Sequence, residues 1–164
     1  MTASRKPSPS EPDGPAPPPQ TPRPESTGVR KRTRARELAL QGLYLLDIRG
    51  LGAQMDVAMH LESETNDPDI LSFARELVGG CSRRREELDA KISAVAENWE
   101  IHRMAVVDRN VLRIGTYELM VLEDVPPKVS INEAIDLAKR YSTADSGSFV
   151  NGILDKLRSQ IRPE

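Results

Sequence analysis

A run of cations has the strongest chemical character in this sequence. Five positive charges and no acid fall within seven positions: Arg30, Lys31, Arg32, Arg34 and Arg36. The run coincides with the start of a predicted helix, where cations oppose the helix macrodipole, so an anionic partner would relieve an unfavourable arrangement. Nucleic acid is one such partner, and a solvated, frayed helix start is the alternative that the residues leave open.

A second candidate site is the short polar segment from Asp145 to Phe149, which is predicted to begin the last helix. Backbone N–H groups at a helix start can accept a phosphate, and an exposed aromatic ring can stack on an unpaired base. The residues alone favour a simpler interpretation, in which Asp145 caps the helix and Phe149 fills the core.

A third candidate is a group of apolar side chains that lie off the main stripe of the first predicted helix. These residues are Leu40, Leu43 and Tyr44. They are suited to a partner-facing strip, and equally suited to contact with another part of the same helical domain.

Residues that would support catalysis or metal binding do not occur at suitable spacings. Gly79 and Gly80 are followed by Cys81 without the lysine of a nucleotide-binding loop. His60, Cys81 and His102 are too far apart in the chain for a local metal motif. We therefore expect no enzymatic activity, no cofactor and no metal site.

The elements that must position these residues are predicted to be helices only. After residue 30, apolar side chains recur at three-to-four spacing, and no alternating stretch is long enough for a strand. The first helix is predicted from about Thr33 to Ile48. A helix from about Met104 to Leu122 is apolar on most sides and is predicted to lie centrally. The fold class is therefore all-α, with seven helices in two small bundles that share this central helix.

Two pairs of residues predict where helices begin. Asp67 followed by Pro68 is typical of an N-cap and a first helical position, since proline lacks the N–H that would remain unbonded there. Ser130 with Glu133 three positions later predicts a capping box.

The proline content divides the chain into two parts. Nine of the 13 prolines fall within the first 24 of 164 residues, and residues 1–29 contain no aromatic side chain. Such a segment cannot bury enough apolar surface to offset the entropy of ordering, so residues 1–29 are predicted to be a disordered tail. Residues 30–164 are predicted to form one all-helical domain.

Charge and cysteine usage restrict the class of partner and the compartment. The net charge is −2, and residues 37–164 alone carry −7, so the acidic body disfavours nonspecific coating of polyanions. Cys81 is the single cysteine, which excludes an intramolecular disulfide. No apolar run is long enough to span a bilayer, and we expect a cytoplasmic protein without a membrane partner.

Three segments of the sequence resemble the NusB family of bacterial transcription antitermination factors. The first is RARELALQGLY (Arg34–Tyr44), and the second is DRNVLRI (Asp108–Ile114) continued by Tyr117–Leu119. The third and most specific is DVPPKVSINEAIDLAK (Asp124–Lys139) followed by Asp145–Ser146 and FVNGILDK (Phe149–Lys156). The resemblance covers about residues 32–158.

This resemblance implies a helical domain of two subdomains without catalytic activity. Members of the family bind the boxA element of nascent ribosomal RNA together with NusE, a small-subunit ribosomal protein, and the complex helps RNA polymerase to read through terminators. The resemblance assigns the RNA surface to Arg32, Arg34 and Arg36, within the basic run that also holds Arg30 and Lys31, and to Asp145, Ser146 and Phe149. It assigns Tyr44 and Asp108 to the NusE-facing side.

The chain departs from the family pattern at several positions. Gly147-Ser148 stands where the family often has His-Lys, Pro127 where it often has Tyr, and Gly42 where Ala is commoner. The loss of His-Lys predicts weaker RNA binding by this protein alone and a larger contribution from NusE. The alternative function is a protein–protein adaptor or homodimer that uses the apolar strip around Tyr44 and binds no RNA.

Overall fold

The computed structural model describes residues 28–163, and within this range the chain is helical with no strand. The helices are α1 (Gly28–Arg49), α2 (Gln54–Glu64), α3 (Pro68–Arg83), α4 (Arg85–Val95), α5 (Val106–Val121), α6 (Pro127–Tyr141) and α7 (Ser146–Ile161). Short 3₁₀ turns at Leu51–Ala53 and Ile101–Arg103 precede α2 and α5. The all-α class and the seven helices are confirmed for the described part of the chain, in which no helix has the length and apolar character needed to cross a membrane.

The helices form two groups around α5. Helices α1, α2 and α3 pack together, while α4, α6 and α7 pack against α5, which also contacts α1 and α3. Ten consecutive residues of α5, Asn110–Leu119, are buried, because neighbours cover the helix on all sides. The prediction of a central helix shared by two bundles is therefore confirmed.

Helix α1 begins earlier than the sequence predicted. Gly28 and Val29 are helical, so the last two residues of the predicted tail belong to α1, five residues ahead of the predicted start at Thr33. Lys31 binds acids at the start of α3, and this tertiary contact holds the first turn of α1. The rest of the predicted tail, residues 1–27, lies outside the described residues.

The two predicted helix starts have different outcomes. Asp67 caps α3 as expected, since its carboxylate accepts the N–H groups that follow Pro68. The capping box was wrong, because α6 starts at Pro127 and both Ser130 and Glu133 lie inside the helix. Proline at the first position needs no N–H acceptor, so α6 starts without the predicted serine cap.

A buried polar network joins α5 to α1 and α4. Asp47 of α1 accepts hydrogen bonds from Arg109 (2.7 Å), Asn110 (3.0 Å) and Arg113 (3.0 Å) of α5. Arg113 also donates to both carboxylate oxygens of Asp89 in α4, at 2.7 and 3.0 Å. Burial alone would raise the pKa of Asp47, but the hydrogen bonds from Arg109 and Asn110 and the charge of Arg113 outweigh it and lower that pKa to about 2.

Two glycines allow neighbouring helices to approach closely. A Cβ at Gly80 would lie 2.3 Å from the ring of Tyr117, so the missing side chain lets α3 close onto α5. A Cβ at Gly42 would lie 2.9 Å from Val57 and 3.2 Å from Val78. An alanine at position 42 would therefore require these valine side chains to shift.

Helices α5 and α7 run parallel and are joined at both ends. Ser146, the first residue of α7, donates to Asp108 in the first turn of α5 at 3.1 Å. At the other end, the Arg162 guanidinium donates to four backbone carbonyls in and just after the last turn of α5: Glu118 (3.4 Å), Leu119 (2.9 Å), Leu122 (2.7 Å) and Val125 (3.0 Å). The last carbonyls of a helix lack intrahelical N–H donors, and Arg162 supplies donors at this end of α5.

Candidate nucleic-acid interface

The cations of the basic run differ in how far they are already neutralised. Lys31 Nζ lies 3.2 Å from Asp67 Oδ2 and 3.0 Å from Asp69 Oδ2. Hydrogen bonds to Asp69 and Asp67 raise the pKa of Lys31. The charge of Lys31 is thus committed to joining the starts of α1 and α3.

Arg32 remains partly exposed and has one aromatic and one acidic neighbour. Its guanidinium lies 4.6 Å from the centroid of the Phe73 ring, a cation–π contact, and 3.5 Å from the Asp124 carboxylate. The aromatic ring fixes the side chain without consuming its hydrogen-bond donors, so Arg32 keeps donors for an anion.

A cleft of about 690 Å³ lies beside the first turns of α1. Three cations line this basic cleft: Arg30, Arg34 and Arg140. Arg30 is exposed and makes no ion pair with any described residue. Glu37 pairs with Arg34 at 3.1 Å and with Arg140. The cations outnumber the acid within the cleft, which is the arrangement that phosphate binding requires.

Arg36 does not lie where the sequence predicted. Its side chain is only 2% exposed and forms a bidentate ion pair with Glu118 of α5, at 2.8 and 2.6 Å. Ser130 donates to the same carboxylate at 3.0 Å, and Glu133 lies 3.7 Å from Arg36. Arg36 is therefore a buried residue that links α1, α5 and α6, and its side chain is not accessible to RNA.

The segment from Asp145 to Phe149 forms the first turn of α7. Asp145 is exposed and its side chain does not cap the helix, so the capping interpretation was wrong. Ser146 is buried, and its hydroxyl is engaged by Asp108. The N–H groups of Gly147 and Ser148 occupy first-turn positions, which have no intrahelical acceptor, and Ser148 is exposed whereas Gly147 is buried.

Two further cations, Lys139 and Arg140 in the last turn of α6, were not among the predicted site residues. Arg140 pairs with Glu37 of α1, and the Lys139 side chain lies against Gly147 of α7, 3.0 Å from the position that a Cβ would occupy. Two cations in a last helical turn also suit the macrodipole, so the sequence offered no reason to assign them to a ligand.

The two segments predicted to bind RNA are not adjacent. Arg32 lies near Asp124, just beyond the end of α5, whereas Ser146 contacts Asp108 at its start. The thirteen steps from Asp108 to Val121, the last residue of α5, correspond to roughly 20 Å of helix. Lys139 and Arg140 lie between Arg34 and the first turn of α7, so these residues form an interface strip, listed here from one end to the other: Arg30, Arg34, Arg140, Lys139, Asp145 and Phe149.

Trp99 extends the aromatic surface at the α7 end of this strip. It was not among the predicted site residues. Its ring is 55% exposed, and its centroid lies 5.7 Å from that of Phe149 at an interplanar angle of 71°. This edge-to-face geometry is the favoured arrangement of an aromatic pair. Phe149 itself is half-buried and packs against the core, while part of its ring remains accessible.

The apolar strip around Tyr44 is narrower than the sequence allowed. Leu40 and Leu43 are buried in the core, whereas Tyr44 is 44% exposed. Tyr44 lines a shallow, mostly apolar groove of about 470 Å³ together with Val107 and Tyr141. The groove is built from α1, α5 and α6 together with His60 of α2, and Tyr44 is its most accessible aromatic side chain.

Asp108 has an unusual environment between α5 and α7. One carboxylate oxygen accepts from Ser146, and the other, Oδ1, is buried without a hydrogen-bond partner among the described residues. Buried carboxylate oxygens are normally bonded, so Oδ1 is suited to a donor from water or from a bound partner.

Comparisons with known proteins agree with this architecture. The family model described as "NusB family" matches residues 33–159. The "Transcription antitermination protein NusB" of Anaeromyxobacter dehalogenans is 46% identical over 134 residues, which cover 81% of this chain and 94% of that protein. The protein of the same name from Symbiobacterium thermophilum is 49% identical over 131 residues, which cover 75% and 86% of the two chains.

Solved structures share this fold. "T. maritima NusB" superposes with a TM-score of 0.72 at 40% identity, covering 80% of this chain and 93% of that one. NusB from "Antitermination Factors NusB and NusE in complex with dsRNA" superposes with a TM-score of 0.71 at 32% identity, covering 80% and 98%. Since the family match, the relatives and the fold all agree over the helical domain, this chain belongs to the NusB family.

Proposed function

We propose that this protein is a transcription antitermination factor that binds boxA-type single-stranded RNA of nascent ribosomal RNA transcripts together with NusE. In this role it joins the antitermination complex of RNA polymerase and promotes read-through of terminators. It acts as a binding protein without catalysis, and its nascent-transcript ligand places it in the cytoplasm.

The observation that carries the proposal is the interface strip. It begins in the basic cleft, where Arg30 has no competing acid among the described residues, and reaches the first turn of α7 through Lys139 and Arg140. An elongated track with cations at one end and an aromatic ring at the other suits an extended single strand, whose unstacked bases are available for contact.

The same geometry supports modest affinity for RNA alone. Lys31 and Arg36 are committed to internal ion pairs, and Ser148 supplies no charge, so only three or four phosphates can be neutralised. The logarithm of the affinity should then fall with the logarithm of salt concentration at a slope of about −2 to −3. NusE binding beside the strip would add the missing contacts.

The Tyr44 groove and Asp108 support a site for NusE. The groove offers an exposed aromatic side chain surrounded by apolar ones, which is typical of an interface core. The buried Asp108 Oδ1 offers an acceptor to a donor of the partner. Asp108 also holds Ser146 in the first turn of α7, so the partner side and the RNA side of the molecule meet at this carboxylate.

The test is an anisotropy titration of labelled boxA-type RNA, with and without cognate NusE, against a scrambled RNA. The double variant Arg30→Glu/Arg140→Glu should lose RNA binding, because reversal of two cleft cations repels phosphate. Arg49→Glu is the matched control: it lies on the same helix, roughly 28 Å from Arg30, and is also an exposed arginine in a surface ion pair. Equal binding of both RNAs, or no effect of the double variant, would contradict the proposal.

A homodimer or pure protein adaptor is the second candidate, and exposed apolar residues near the Tyr44 groove favour it. Ile48 at the end of α1 and Met55 and Met59 of α2 are all more than half exposed. Light scattering of the protein alone distinguishes the two functions. A dimer disrupted by Tyr44→Glu, combined with no RNA binding, would support the adaptor.

A further inference from the structure

We propose that Trp99 is a base-stacking residue, and that an unpaired nucleobase of the bound RNA packs on the exposed face of its ring beyond Phe149. The inference rests on the proposed function, because it concerns the same RNA strand. It adds a contact outside both the basic run and the Asp145–Phe149 segment.

The position of Trp99 holds its ring in place before RNA binds. Trp99 lies in the connection between α4 and α5, and its backbone N–H donates to the Ala96 carbonyl at 3.0 Å, which holds a tight turn. One ring contact is made with Phe149, while more than half of the side chain stays in solvent. A ring fixed by a neighbour loses little conformational entropy when a ligand stacks on it.

The chemistry around the ring suits the edge of a base and not a phosphate. Trp99 borders a cavity of about 630 Å³ that contains the carboxylates of Glu97 and Glu100, the amide of Asn98 and the hydroxyl of Ser93. Carboxylates repel phosphate, but they accept hydrogen bonds from exocyclic amino groups, as they do from cytosine N4. The cavity therefore favours a base that carries an exocyclic amino group, which guanine, cytosine and adenine have and uracil lacks.

Nearby cations do not change this assignment. Arg103 and His102 also line the cavity, and the Glu100 carboxylate lies 3.4 Å from Arg103 and 3.1 Å from His102. Glu100 offsets the charge of Arg103, and the additional carboxylate of Glu97 keeps the cavity unfavourable for phosphate. The lining is also more polar than that of the Tyr44 groove, where Leu45 and Val107 supply an apolar wall suited to a protein. A base at the end of an RNA strand that passes Phe149 fits these features better than a protein side chain.

Trp99 is the single tryptophan of the chain, so its fluorescence reports on this site alone. Titration of the full-length protein with unlabelled boxA-type RNA should quench the emission, with the same midpoint as the anisotropy titration. A scan that replaces one nucleotide at a time by an abasic residue should abolish the quench at one or two positions only. Quenching by NusE alone and not by RNA would show a protein contact and overturn the proposal.

Variants of Trp99 test whether this residue contributes to RNA affinity by stacking, and not through folding or charge. Trp99→Leu should weaken RNA binding about tenfold, and Trp99→Phe should restore most of the affinity, because any aromatic face can stack. The salt slope should stay unchanged in both variants, since no phosphate contact is removed. Leu51→Ala, which truncates another exposed apolar residue in a connection between helices, is the control and should leave affinity unchanged.

The outcomes distinguish this inference from the proposed function. If Trp99→Leu binds RNA within about twofold of the wild type and RNA causes no quench, while Arg30→Glu/Arg140→Glu still abolishes binding, Trp99 is not a stacking residue and the proposed function stands. If the wild type binds no RNA with or without NusE, the proposed function fails, and the stacking proposal fails with it.

Discussion

Arg36 illustrates how one arginine of a basic run can differ from its neighbours. Its guanidinium pairs with Glu118, 82 positions later in the chain, at the point where three helices meet. A sequence pattern records that five cations are close together, but not which of them turns inward. Burial depends on Glu118, Ser130 and Glu133, and those residues come together only in the fold.

Replacing Arg36 by Met should therefore affect stability before RNA binding. The change leaves Glu118 buried without its cation, and we expect the free energy of unfolding to fall by about 3–5 kcal/mol. Urea denaturation followed by circular dichroism measures the loss. Arg34→Met, which removes exposed ion pairs, should cost less than about 1 kcal/mol.

The double variant Arg36→Met/Glu118→Met is a second test of the Arg36–Glu118 pair. It removes both buried charges, so it should recover much of the lost stability. A folded Arg36→Met protein that loses RNA affinity as strongly as Arg30→Glu/Arg140→Glu would show instead that Arg36 contacts RNA directly.

At the scale of the elements, the sequence predicted the helices better than their ends. Apolar spacing marked all seven helices, and Asp67 with Pro68 marked one start correctly, because both signals are local. The start of α1 and the role of Ser130 depend on contacts between helices. The candidate site divides in the same way: the basic run and Phe149 were found from residue type, whereas Lys139, Arg140 and Trp99 acquire a role only through their neighbours.

The network that fixes α5 predicts how stability depends on pH. The pKa of Asp47 is lowered to about 2 in the folded state, below the ordinary 3.8. Its ion pairs therefore stabilise the fold fully above about pH 4, and this contribution is lost as the pH falls towards about 2. Acid denaturation of the wild type should show a steep loss of stability across this window.

The variant Asp47→Asn should reduce that slope while lowering stability at neutral pH by about 3 kcal/mol, because Arg109 and Arg113 lose a buried anion. Chemical denaturation at a series of pH values compares the two proteins. Asp56→Asn removes an exposed partner of Arg49 and is the matched control, with an acid slope like that of the wild type. An unchanged slope for Asp47→Asn would disprove the assignment.

At the scale of the whole molecule, the proline-rich segment precedes the interface strip directly. Residues 1–27 carry balanced charges: Arg5, Lys6 and Arg23 against Glu11, Asp13 and Glu25. Since the segment adds no net positive charge, its deletion should change RNA affinity by less than about twofold and leave the salt slope as it was. Thermal melting and the anisotropy titration test the truncated protein, and a large loss of affinity would give the segment an active part in binding.

The Arg162 guanidinium donates to four carbonyls in and just after the last turn of α5, and this contact has a consequence for how ligands bind. With Ser146 held at one end and Arg162 at the other, α7 can neither slide along α5 nor rotate about its own axis without breaking bonds at both ends. RNA and NusE are thus expected to dock on a rigid helix, and amide exchange along α7 should slow at its first turn alone when they bind. RNA and NusE are therefore expected to bind a surface that already exists in the free protein, without a change in its shape.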